Sequence, residues 1–252
     1  MECNGRWALI TGAAGGIGKA LVEEFVDEGY KVISADIVFA ESKFVGENVY
    51  ELQLDLAQIV DNANALGSLK EQIANITGGE GIAVLVNNAA VQILSSTQDM
   101  TIDQWNMTWT INLHAPFLLI QTFLEDLSKN KGAVVNISSI HAKQTKKRFV
   151  AYATSKAALS SLTRNLAVDL GDKIRINAIE PAAVGTDMLL AGFIESPEQL
   201  ASLNEFHPLG RIANPKEIAE LAVFLCSEKS RFIQGASISA TGGIDGCLSD
   251  PG

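Results

Sequence analysis

Along this chain, short apolar runs and alternations give way repeatedly to longer stretches in which hydrophobic residues recur at helical spacing. Residues 6–10, 31–35, 49–54, 82–86, 133–137, 174–179 and 236–239 have the length and β-branched content of strands. Residues 17–26, 65–75, 102–124, 152–170 and 215–226 carry apolar positions three and four apart, which predicts amphipathic helices. For the last of these, Asn214, Pro215 and Glu217 supply an N-cap, a first-turn and a third-position residue. Strands alternating with helices imply parallel pairing and a sheet covered on both faces, hence an α/β, doubly wound architecture. No repeat or low-complexity linker breaks the alternation, so residues 1–252 read as a single domain.

The first predicted strand runs into Thr11-Gly12-Ala13-Ala14-Gly15-Gly16-Ile17-Gly18 and then directly into a helix. Glycines there permit a tight turn and close backbone approach, while the helix N-terminus offers unpaired N–H donors to a pyrophosphate. The context is that of a Rossmann dinucleotide fold. Asp36 closes the second strand, eighteen residues beyond Gly18. A carboxylate at that position accepts from the ribose hydroxyls and repels a 2′-phosphate, which favours NAD over NADP; the alternative is a solvated strand end. Gly15, Ile37 and Val38 offer no cation for such a phosphate, leaving Lys19 and Lys43 as rival contacts.

Tyr152 and Lys156 lie four residues apart on one face of the helix predicted over 152–170. An ammonium close to a phenol favours the phenolate, so the pair is a candidate proton-transfer device with Tyr152 as the acid or base. The formal net charge of −10 argues against nonspecific binding to nucleic acid or an anionic membrane, and the expected partner is a small-molecule substrate. With a short polar start and no long apolar run, the chain is expected in the cytoplasm. Cys3, Cys226 and Cys247 lack metal-ligand or disulfide spacing, so no metal site is expected.

These features together resemble the short-chain dehydrogenase/reductase family, from about residue 6 to residue 245. Gly12, Gly16, Ile17 and Gly18 match the family's cofactor turn, Asp55 with Leu56 its adenine-contacting segment, and Asn87-Asn88-Ala89 the motif after its fourth strand. Asn112 matches the family's proton-relay asparagine. Ser139, thirteen residues before the tyrosine, matches its catalytic serine, and Tyr152 and Lys156 its catalytic pair. Ala90 and Ala182 stand where the family usually has Gly. The resemblance implies that Lys156 also contacts the nicotinamide ribose and that Pro181, Val184 and Thr186 lie beside the nicotinamide. It further implies a substrate-covering lid over residues 187–207, with apolar Met188, Leu189, Leu190 and Phe193, and assembly as a homo-oligomer, a tetramer or dimer.

Gln92 and His141 occupy strand-end positions that resemble the substrate pocket of hydroxybutyrate-type dehydrogenases, although Phe149 stands where those enzymes are expected to have Lys. The basic stretch of Lys143, Lys146, Lys147 and Arg148 reads either as an anion attractor or as a solvated loop. Sugar-oxidising relatives also show Ser-x-His after this strand. The expected activity is an NAD(H)-dependent interconversion of a secondary alcohol and a ketone on a small polar metabolite. A 3-hydroxy acid and a sugar or polyol are both open as substrates, and a noncatalytic NAD-binding regulatory protein is the alternative class.

Overall fold

Strand β1 (Trp7–Thr11) is buried along its whole length, turning Trp7 and Leu9 into one apolar layer and Ala8 and Ile10 into the other. The computed structural model describes residues 5–186, 189–190 and 197–247. From β1 the chain continues through α1 (Gly16–Asp27), β2 (Lys31–Asp36), β3 (Lys43–Phe44), β4 (Val49–Gln53), α2 (Leu56–Asp61), α3 (Ala63–Ile76) and β5 (Ile82–Asn87). Next come α4 (Ile102–Trp109), α5 (Ala115–Thr122), α6 (Leu124–Lys129), β6 (Ala133–Ile137), α7 (Val150–Leu170), β7 (Arg175–Pro181), α8 (Pro197–Glu205), α9 (Pro215–Cys226) and β8 (Ser237–Ala240).

The strands form one sheet of eight in the order β3-β4-β2-β1-β5-β6-β7-β8, parallel except at the β3–β4 edge. Leu9, Ile33, Leu85 and Val134 pack with Ile73, Leu119 and Phe123 on one face, while Ile10, Val32, Val86 and Val135 pack with Leu21, Phe25, Ile218 and Ala222 on the other. This is the single α/β domain expected, doubly wound with helices on both faces. Strand order reverses between β1 and β5, so a crevice opens outside the carboxyl ends of those two strands.

All seven predicted strands are present. The unforeseen β3 is two exposed residues paired antiparallel, too short to carry a periodic signal. Helix α2 also went unforeseen; Asp55 starts it by accepting the Ala57 N–H at 2.9 Å. The predicted capping box of α9 forms, with Asn214 accepting from Lys216 N–H and Glu217 accepting from Asn214 N–H.

The single helix expected over 102–124 is divided. A π turn at Thr110–His114 separates α4 from α5, and the chain breaks again at Phe123 before α6. Pro116 has no N–H to return to the Asn112 carbonyl four residues earlier, and the ladder widens to five-residue bonds such as Ala115 N–H to Thr110 O. Of the expected lid, residues 187, 188 and 191–196, and with them Met188 and Phe193, lie outside the described residues; helix α8 follows them.

Close packing of α1 on the turn before it depends on Gly18, whose added Cβ would collide with the Gly12 carbonyl and the Ala13 backbone. Backbone cannot yield as a flexible side chain can. Gly18→Ala is expected to destabilise the fold by ~1–3 kcal/mol, the range for overpacking, read as a lower urea midpoint at unchanged m-value. An unchanged midpoint would show that the turn relaxes freely.

Candidate active site

Two strand-end loops meet at the crevice beside β1. Gly12 has φ +64°, and a Cβ there would lie 2.7 Å from the Ala89 Cα, so only glycine allows the loops after β1 and β5 to approach this closely. Thr11 Oγ1 accepts the N–H groups of Asn88 and Ala89 at 3.1 and 3.2 Å. In return, Asn88 Nδ2 donates to the carbonyls of Thr11 and Gly12 at 3.0 and 2.9 Å. Asn88 therefore reaches the crevice by holding the turn rigid.

Asp36 is fixed at the lip of the same turn, one carboxylate oxygen accepting from Ala14 N–H at 3.0 Å and the other from Val38 N–H at 3.1 Å. The loop after β7 closes the other side. Pro181 ends the strand, Val184 is buried and bridges to Ala213, and Thr186 packs so tightly on Gly16 that a Cβ there would lie 2.7 Å from the threonine side chain. No side chain caps the N-terminus of α1 at Gly15, and Ile17 packs against the core beneath it. A glycine-rich cradle, an uncapped helix N-terminus and a carboxylate at the end of β2 fit a dinucleotide with its pyrophosphate over residues 12–18. Asp55 caps α2 and Leu56 is buried, both beyond the end of β4.

Across the crevice, Tyr152 and Lys156 project from the first turns of α7 toward the end of β6. The phenol of Tyr152 lies near enough to the side chain of Ser139, the second residue after β6, for the serine to lower its pKa, which places it at the carboxyl edge of the strands. Ser139 Oγ also accepts the His141 N–H at 3.1 Å, leaving its own hydrogen available to the phenol oxygen or to a ligand oxygen. Lys156 is buried, and its Nζ donates to the Ile137 carbonyl at 2.7 Å while standing 5.7 Å from the Tyr152 ring centre.

Asn112 joins both sides of this arrangement. Its Oδ1 accepts from Val91 N–H at 2.9 Å, and its Nδ2 donates to the Val91 carbonyl at 3.0 Å and to Ser155 Oγ at 3.0 Å. Ser155 in turn donates to the Tyr152 carbonyl at 2.8 Å. The π turn carrying Asn112 thus ties the loop after β5 to the turn of α7 between Tyr152 and Lys156.

The electrostatics differ from the expected lowering of the tyrosine pKa. Burial pushes the Tyr152 phenol up, opposed by the Ser139 hydrogen bond, and burial pushes Lys156 down to about 7. In the protein alone each group loses more by desolvation of its charged form than it gains from a partner.

Beside this group stands an aromatic wall. The His141 ring lies 4.4 Å from Phe149 and 5.9 Å from Tyr152, its Nδ1 sits 3.2 Å from the Gln144 carbonyl, and partial burial lowers its pKa. Phe149 occupies the position expected to be Lys in hydroxybutyrate-type enzymes, and the Lys146 ammonium lies 4.8 Å from its ring centre. Gln92 is exposed on the loop that Asn112 anchors through Val91. Within the basic stretch, Lys143 is paired with Glu180 at 2.6 Å and Arg148 donates to the Leu94 carbonyl at 3.4 Å.

Ser155, Ser160 and Glu180 were not singled out from the sequence. Glu180 did carry a signal, because a carboxylate near the end of a strand that is otherwise buried requires a partner.

A family model described as enoyl-(acyl carrier protein) reductase matches residues 12–245. Protein FixR of Bradyrhizobium diazoefficiens is 36% identical over 93% of this chain and 85% of its own length. The 7alpha-hydroxysteroid dehydrogenase of Escherichia coli is 31% identical over 96% of this chain and 95% of its own. Among solved structures, ligand-free aldohexose dehydrogenase (AldT) of Thermoplasma acidophilum superposes with a TM-score of 0.87 at 29% identity, covering 99% of this chain and 98% of that one.

Burial of Lys156 has a consequence for stability. Its pKa falls from 10.5 to about 7, so between those values the unfolded chain holds a proton that the folded chain releases, and its contribution to stability rises with pH through that window. Below it, the desolvation penalty applies in full. Comparison of Lys156→Met with the parent protein cancels the other titrating groups: the variant's gain in melting temperature is expected to be largest near about pH 6 and to shrink as pH rises toward about 10. A difference independent of pH would show that the ammonium is not desolvated.

Proposed function

This chain belongs to the short-chain dehydrogenase/reductase family of nicotinamide-dependent oxidoreductases acting on alcohols and ketones, and from that premise we propose that it uses NAD(H) to interconvert a secondary alcohol and a ketone on a neutral, hydroxyl-bearing substrate of the sugar or polyol class. The observation that carries the proposal is the buried Lys156 ammonium 5.7 Å from the Tyr152 ring centre on one face of α7, beside Ser139 at the end of β6 and across the crevice from the glycine cradle. In reduction, the neutral phenol gives its proton to the carbonyl oxygen held by Ser139; in oxidation, the phenolate removes the hydroxyl proton. Lys156 stands opposite the developing phenolate and stabilises it. Asn112 fixes the backbone of the Tyr152–Lys156 turn through Ser155. Bound over the cradle, the dinucleotide supplies or accepts the hydride.

Asp36 supports the NAD preference, since a carboxylate anchored by two N–H groups at the end of β2 would repel a 2′-phosphate. Charge near Tyr152 supports a neutral substrate over a small carboxylate. The Lys143 ammonium is neutralised by Glu180, burial disfavours the charged form of His141, and the Lys146 ammonium stands over the Phe149 ring, where hydroxybutyrate-type enzymes are expected to have Lys. Structural similarity to the Thermoplasma aldohexose dehydrogenase points in the same direction.

The reading is tested by following dinucleotide absorbance across aldohexoses, polyols, 3-hydroxy acids, hydroxysteroids and acyl thioesters, with turnover of a sugar or polyol expected. Turnover of 3-hydroxy acids alone would overturn the substrate class, and NADH binding without turnover of any alcohol or ketone would favour the regulatory alternative. With the active substrate, Tyr152→Phe is expected to lower kcat by about 10²–10⁴-fold while NADH affinity stays within about twofold, because only the transferable proton is lost. Near-normal kcat would remove Tyr152 from the reaction. Asp36→Ala is expected to bring the NAD/NADP ratio of kcat/KM down by about tenfold or more, and an unchanged ratio would locate discrimination elsewhere.

A further inference from the structure

We propose that Glu180 is a positioning residue for the reaction, cross-linking the loop that carries Ser139 and His141 to the catalytic face of α7. This inference deepens the function proposed above and rests on it for its kinetic arm. Glu180 is 1% exposed at the end of β7, yet its carboxylate is held from two sides. Lys143 Nζ lies 2.6 Å from Oε2, and Ser160 Oγ donates to Oε1 at 2.8 Å.

The two partners belong to the two halves of the candidate catalytic group. Lys143 follows Ser139 by four residues and ends the short three-ten turn Ile140–Ala142, whose amides fold back on Ser139 and Ile140. Ser160 lies one helical turn beyond Lys156, so Tyr152, Lys156 and Ser160 form a single stripe on α7. A third link closes the network: Ser138 Oγ donates to the Lys156 carbonyl at 2.9 Å and lies 2.9 Å from Ser160 Oγ. The remaining polar groups facing Lys143 come from β8 and the segment after it: Ser239 Oγ lies 3.5 Å from Nζ, and the Asp245 carboxylate has a pKa lowered mainly by hydrogen bonds from Thr241 and Ser239 and to a smaller extent by the ammonium.

A half-exposed lysine would not by itself hold a loop, since an exposed ion pair contributes little. Here the partner is buried, and losing the ammonium leaves an uncompensated charge inside the protein, which gives the loop one strongly preferred place. That place sets the distance from Ser139 to the Tyr152 phenol. Nothing in the clamp touches residues 12–18 or Asp36, so its loss should disturb the substrate oxygen and spare the dinucleotide.

Glu180→Gln keeps an acceptor for Ser160 and removes the ion pair, and Lys143→Met combined with Glu180→Gln serves if the single variant fails to fold, because it leaves no buried charge. Amide hydrogen exchange at residues 141–143, whose N–H groups bond within this loop, is expected to accelerate about tenfold while amides of the β1–α1 turn are unchanged. With the active substrate, kcat should fall about ten- to hundredfold with NADH affinity within about twofold, and Lys143→Arg should retain both exchange protection and kcat. Exchange at parental rates would overturn the clamp, and faster exchange with parental kcat would overturn its role in positioning. If the parent protein turns over no substrate, the proposed function fails on its own account, and the exchange result still decides whether Glu180 holds the loop.

Discussion

A parallel sheet covered on both faces leaves one rim at which its strands can present polar side chains, and the chemistry of this protein is arranged by that constraint. Thr11, Asn87, Asn136, Ser138, Ser139 and Glu180 are all buried, and all sit at or just past the carboxyl ends of β1, β5, β6 or β7. None is there as an isolated polar group. Asn87 Nδ2 donates to Asn136 Oδ1 at 2.8 Å, and Asn136 Nδ2 donates to Thr163 Oγ1 at 2.9 Å, so neighbouring strand ends and α7 are cross-linked below the crevice. Each such bond contributes only ~1 kcal/mol net, but leaving either partner unmet would cost more. The rim is therefore rigid by necessity, and rigidity is what a proton transfer over hydrogen-bond distances requires.

The same burial explains why Tyr152 and Lys156 have opposed shifts. A phenol pushed up and an ammonium pushed down to about 7 describe a pair whose neutral forms are favoured in the protein alone. On the proposed mechanism that bias suits protonation of a carbonyl, since Tyr152 is poised as an acid. Oxidation needs the phenolate, and a phenolate beside an ammonium is a net-neutral pair whose desolvation is smaller than that of either charge alone. Coupled groups of this kind titrate as a pair, so a pH profile reports both together.

Most of the architecture was legible because it rests on local signals. Seven strands announced themselves by apolar runs, the α9 capping box by three residues, and the nucleotide cradle by a glycine pattern whose steric reason is visible at Gly12 and Gly18. The division of the helix expected over 102–124 was legible in part, as Pro116 marks where a bond is lost, although the compensating π turn depends on Asn112 finding Val91 and Ser155. Pairing across long sequence distance was not legible. No spacing rule joins Lys143 to Glu180 or His141 to Phe149, and the basic stretch read as an anion attractor contains a lysine already neutralised by a buried carboxylate.

That difference separates the two halves of the site. The cradle is made from backbone, so its requirement is for the absence of side chains, and absence is written in the sequence as glycine. The substrate side is made from side chains that meet only after folding, and its charge depends on which of them are already paired. Glu180 illustrates the point, because a buried ion pair is weak evidence for stability: well-packed apolar residues of similar volume commonly do as well. What an apolar pair cannot supply is a buried charge that draws the loop to one place, with Lys143 ion-paired to one oxygen and Ser160 hydrogen-bonded to the other. A charged residue at the end of an otherwise apolar strand is better explained by that geometric demand than by energy alone.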